Sequence, residues 1–211
     1  MALRYNERDQ MLADSRELFA DALVSNKLLI SAAGVNLIAG ACISLTNACI
    51  LAVMMAALLP LVGYLSVSES SRLSRDSRPA LYCAITTGVV FALSLLFDLI
   101  LPYGISEMGI FAPLVAFDSL VLYRIADDAP ILTRREAAYE GLSCAIVFAA
   151  IAIPVAFVRE IIGGGSFFGA YLGFSGVSSL QMPFAGFILC GIAIAVYRAI
   201  AAKRAEGRDG R

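Results

Sequence analysis

Two apolar stretches carry polar side chains where a nonpolar chain has least use for them. In GIFAPLVAFDSLVLYR, residues 109–124, an aspartate and a serine stand together as Asp118–Ser119, and in AAGVNLIAG, residues 32–40, an asparagine stands at Asn36. A carboxylate at the centre of a membrane helix costs about 2.5–3.5 kcal/mol on insertion scales, so Asp118 must face a cavity, a partner or a helix break. Two chemistries are open to it. It can serve as an ion or proton site, or it can be a structural acceptor for backbone unwound near Pro113 or for a base on a partner subunit. Asp98, at the end of another apolar run beside Pro102–Gly104, reaches the interface and reads as a solvated acid. Arg159–Glu160 can form a local pair or cap the end of a helix.

Other chemistries are excluded. The chain has no histidine, which removes His-ligated metals and haem as well as a Ser-His-Asp triad. Cys42, Cys49, Cys83, Cys144 and Cys190 are scattered through apolar segments with no CxxC spacing and read as buried thiols. Gly163–Gly165 is no phosphate loop, because neither a strand nor Lys-Ser/Thr accompanies it. Gly165, Gly169 and Gly173 overlap as GxxxG, but in a loop-like segment. With a net charge of −1 and no basic run broken by aromatics, nucleic acid is not a partner.

The elements that must position these residues are membrane helices. Of 211 residues 60% are hydrophobic, well above the roughly 45–50% of a soluble domain. Residues 28–68 lack any charge and are long enough for two spans, divided near residues 44–47. Further spans are expected at 79–101, at 105–123 (short and broken by Pro113), at 141–158 and at 182–197. Residues 163–179, rich in glycine and aromatics, read as an interfacial or re-entrant loop. Residues 1–27 mix acidic and basic side chains and form an amphipathic segment along the membrane surface rather than a signal peptide. Residues 203–211 form a tail.

Charge placement supports six spans. Of the 16 basic residues only Arg159 then falls on the outer side, so both termini are expected in the cytoplasm. The expected fold is an all-α membrane protein. Its six transmembrane helices form two inverted three-helix repeats, about 28–101 and 105–202, with the first helix of each repeat interrupted. Paired interruptions of this kind point to a site near the bilayer midplane, which brings Asn36 and Asp118–Ser119 together.

GIFAPLVAFDSLVLYR, VREIIGGGSFFG (158–169) and MPFAGFILCGIAIA (182–195) resemble the integral-membrane subunits of the Rnf and Na⁺-translocating NADH:quinone oxidoreductase (Nqr) complexes. The RnfE-like and NqrD-like members are the most similar in kind, over about residues 26–203. The resemblance implies a bacterial or archaeal inner-membrane protein paired with a homologous, RnfA-like or NqrE-like subunit of opposite topology. It implies a [2Fe–2S] cluster shared with that partner, with further flavin and iron–sulfur centres in other subunits. It also marks Gly34, Pro113, Arg124, Arg159, Glu160, Gly163 and Gly165 as structural motif positions. At the two positions where the family carries cluster cysteines this chain has Asn36 and Ser119, and Asp118 stands where asparagine is usual. Neither an amide nor a hydroxyl is a thiolate donor, so these ligands are replaced. The implied function is a non-catalytic membrane subunit of an electron-transport translocase. The alternative is a small inverted-repeat transporter or channel-like subunit with no redox role.

Overall fold

The computed structural model describes residues 32–70, 77–100, 108–122 and 132–209. The amphipathic reading of residues 1–27 and the motif position Arg124 fall outside the described residues. Among the described residues four helices are long and apolar enough to cross a membrane: α2 (Leu45–Ser70), α3 (Arg78–Ile100), α5 (Arg134–Val158) and α6 (Pro183–Asp209). Two shorter pieces accompany them. One is α1 (Val35–Ala41); the other is α4 (Phe111–Leu114), which tightens into a 3₁₀ turn at Val115–Phe117 before a last turn at 119–122.

The core lies between α2 and α5. Leu51, Met54, Leu58 and Val62 of α2 are fully enclosed, as are Val147, Phe148 and Ala152 of α5. The two helices run antiparallel, since the amide of Leu45 meets Glu160 at one end and Arg134 lies over the Tyr64 ring at the other, 5.6 Å from its centroid. Lipid offers no hydrophobic drive for helices to associate, so close contact depends on small residues. Gly141 supplies that contact: a Cβ there would sit 2.8 Å from the backbone of Leu59 and Pro60.

Each of these two helix starts is satisfied locally. Ser44 Oγ accepts from the Asn47 amide at 3.2 Å as α2 begins. At α5, Thr133 Oγ1 accepts from Glu136 N while Glu136 Oε2 accepts from Thr133 N, a reciprocal capping box encoded by TRRE. Hydroxyls inside the spans bond back to their own helix, Thr86 to the Tyr82 carbonyl at 2.6 Å and Thr87 to Cys83 at 2.7 Å.

The flanking helices α3 and α6 present apolar surface outward, with Leu99 81% and Ile188 60% exposed. That is the expected state of helices solvated by lipid or by another subunit. The division of residues 28–68 falls at 42–44, beside the expected place. The last helix runs on through residues 203–209, a stretch that holds strong helix formers at 203–206 and reads as a tail by charge alone. Pro113 does not break its segment. It lies within the first turn of α4, where a missing amide costs nothing, and the interruption falls four residues later at Phe117–Asp118.

Candidate functional site

The site is built where α1 starts, against the break that follows α4. Gly34 precedes α1 with φ +84°, a left-handed conformation natural to glycine, and its amide donates to Ser119 Oγ at 3.4 Å. A side chain there has little room, because a Cβ would meet Leu120 at 3.2 Å and Asp118 Oδ1 at 3.5 Å. Further along, Gly40 receives the Phe111 ring of α4 and Gly186 of α6 approaches the Ala39 backbone. α1 is thus wedged between α4 and α6, and its start meets the break at Asp118.

Asp118 is 2% exposed, at a point where the chain is extended (φ −66°, ψ 142°). Its backbone carbonyl accepts from Val121 and Leu122, and its Oδ1 accepts from the Leu120 amide at 2.8 Å. It therefore caps the turn at 119–122 as an N-cap aspartate does. The amide of Asn36 lies beside the carboxylate, yet no well-formed hydrogen bond reaches Oδ2, which is buried and unpartnered. Asn36 and Ser119 are themselves exposed. The result is a buried carboxylate oxygen beside two polar side chains on the outer face of an apolar bundle.

A second charged group holds the other end of α1. After α5 the chain widens into a π-helical turn, Arg159–Gly164, which leaves Arg159 0% and Glu160 4% exposed. The Arg159 guanidinium donates to the carbonyls of Ala39 at 2.8 Å and Cys42 at 3.1 Å, where α1 ends. It also reaches the carbonyls of Leu180 at 3.1 Å and Gln181 at 2.8 Å, just before α6. Glu160 accepts from Leu45 N, the first amide of α2, at 2.5 Å and from Gly169 N at 2.9 Å. These partners are backbone groups on four elements. α1 therefore has an acid at its positive end and a guanidinium at its negative end, the arrangement its peptide dipoles favour.

The meeting of Asn36 with Asp118–Ser119 was legible in the sequence. The reach of Arg159 to α1 was not, because nothing local in VREIIGGG indicates a partner some 120 residues away in the chain. Gly163 and Gly165 serve that turn: both are buried, and Gly165 has φ +63° with the Phe174 carbonyl where a Cβ would be. The GxxxG glycines Gly165, Gly169 and Gly173 all have positive φ, so they form turns and no helix–helix seam. Asp98 is exposed and borders a groove of about 370 Å³ between α3 and α4 with Ser94, Thr87 and Pro113.

The residues present do not fit a [2Fe–2S] cluster. Asn36 and Ser119 offer an amide and a hydroxyl, and Cys42 lies at the far end of α1, about 12 Å along its axis from Gly34. Among the described residues no three His, Cys, Asp or Glu side chains converge to hold a metal ion.

A family model described as "Rnf-Nqr subunit, membrane protein" matches residues 15–197. A search of curated proteins finds no match.

Proposed function

Since the chain belongs to the Rnf-Nqr family of membrane subunits, we propose that it is a non-catalytic, multi-pass subunit of an ion-translocating electron-transport complex, and that the junction of its two broken helices is a polar ion or proton site in place of a cluster-ligand pair. One observation carries this reading: Asp118 Oδ2 is buried and makes no well-formed hydrogen bond, beside Asn36 and Ser119, two polar residues that are themselves exposed. A carboxylate used only as a cap needs one oxygen for that work. The second oxygen is available to a proton, a cation or a donor from a neighbouring subunit.

The partner in this reading is a homologous subunit of opposite topology, seated over Asn36 and Ser119. Polar side chains left against lipid are costly, and a second broken-helix subunit would cover them. Six spans in two inverted repeats, cytoplasmic termini and a bacterial or archaeal inner membrane complete the proposal. The polar site sits near the midplane, where paired discontinuous helices place sites in other transport proteins. Flavin and iron–sulfur chemistry resides in the other subunits.

The loss of thiolates favours a second reading, a transporter or channel-like subunit with no redox role. Isolation of the native complex through a tag on this chain separates the two. Copurification with a homologous membrane subunit and flavin- or iron–sulfur-bearing subunits supports the first. A stable chain recovered alone, fully active in liposomes, would refute it.

A further inference from the structure

From Ile161 to Tyr197 the chain carries no charged residue, although part of this stretch is not helical and lies at the end of the bundle. Extramembrane loops are ordinarily rich in polar residues. Here the loop is a built platform. Strands β1 (Ser166–Phe167) and β2 (Ala170–Tyr171) pair antiparallel around a two-residue turn at Phe168–Gly169. The platform is tied down by Leu172 N to the Gly165 carbonyl at 2.9 Å and Val177 N to the Ile162 carbonyl at 2.8 Å. Gly169 N to Glu160 Oε1 fastens the turn itself.

The turn has φ +48° at Phe168 and +78° at Gly169, both in the left-handed region that a type I′ hairpin turn requires. Glycine and asparagine adopt it readily; a bulky aromatic seldom does. Phe168 holds this conformation and is 55% exposed at the hairpin tip. Tyr171 (70%), Phe174 (45%) and Val177 (55%) are exposed on the same loop. Phe167 stacks edge-on between Phe168 (centroids 5.0 Å) and Phe157 in the last turn of α5 (6.3 Å). An exposed apolar surface therefore continues from a membrane-spanning helix onto the hairpin.

We propose that this hairpin is an interfacial anchor whose partner is the bilayer surface, with Phe168 and Tyr171 inserted at the boundary between headgroups and acyl chains. An uncharged aromatic platform at the level where one span ends and the next begins has the chemistry of that boundary. Its rings have apolar bodies, and tyrosine adds a polar tip. Glu160 joins the anchor to the start of α2, since it holds Gly169 with one oxygen and Leu45 with the other. The inference is independent of any redox or ion-transport role.

The chain contains no tryptophan, so a single introduced indole reports on the loop. The complex carrying Phe168→Trp is reconstituted in phosphatidylcholine vesicles, and its added emission is taken against the wild-type complex. Lipids brominated high on the acyl chain should quench it about twofold, with weaker quenching by deep bromines and little by acrylamide. Tyr171→Trp gives the same readout without altering the turn. Phe168→Asn suits the left-handed backbone but removes the ring, so combined with Tyr171→Trp it should reduce the lipid quenching. An indole quenched by acrylamide and untouched by brominated lipid would place the loop in water. An indole quenched by neither would place it under a protein partner. Either result at both positions overturns the proposal.

Discussion

Asp118, Arg159 and Glu160 are ionisable side chains enclosed in an apolar bundle, and each is engaged at a helix terminus. Arg159 is the most heavily committed, with strong hydrogen bonds to carbonyls on two separate segments. A lysine keeps the charge but lacks the planar fork that serves both, so Arg159→Lys should destabilise the chain by about 2–3 kcal/mol. Thermal unfolding of the detergent-solubilised complex reads that loss, and an unchanged midpoint would show that the two segments are held by packing alone. Asp118 was recognisable from sequence as a misplaced charge, and Asn36 as its neighbour through the paired interruptions. Its capping role was not recognisable, because Pro113 was the apparent breaker. The chain instead unwinds at Asp118, where the side chain itself supplies the acceptor that the next turn needs.

At the scale of elements, the close α2–α5 contact and the wedged α1 depend on glycines as well as on the large apolar side chains they let in. Gly141→Leu drives a side chain into the backbone at Leu59–Pro60 and should cost about 3 kcal/mol or more. Gly88→Leu is the matched control on α3: nothing lies within 4 Å of its Cβ position, and the fold should tolerate it. Comparing the two variants by size-exclusion profile and thermal midpoint checks the packing. Thr133→Ala should remove half of the capping box and cost about 1 kcal/mol, read in the same melts. The long spans were legible because charge bounds them and because a bilayer sets their length. The division near 44–47 was legible because Ser44 and Asn47 are polar. The π-helical turn and the hairpin were not, since a glycine-rich run specifies that the chain turns without specifying its partners.

On the scale of the whole molecule, an incomplete surface is the dominant feature. α3 and α6 face outward with apolar residues, while Asn36 and Ser119 put polar groups on the same exterior. A membrane subunit shaped for a partner shows that combination. The proposed orientation rests on the isolation of Arg159 among 16 basic residues. Reporters therefore should be active in the cytoplasm when fused at Arg211 and outside when inserted at Gly173, and swapped activities would refute six spans with cytoplasmic ends. The functional reading depends most on the free oxygen of Asp118, and one substitution isolates it. An asparagine at this position keeps the N-cap acceptor and the side-chain shape, so Asp118→Asn should leave the complex assembled. The measurement is sodium and proton uptake, driven by the electron donor that the complex oxidises, in inverted membrane vesicles from cells whose only copy of the subunit carries Asp118→Asn, compared with wild type across pH. Uptake should fall roughly tenfold or more with assembly unchanged; uptake equal to wild type at every pH would show that Asp118 is a helix cap and that the ion site does not exist.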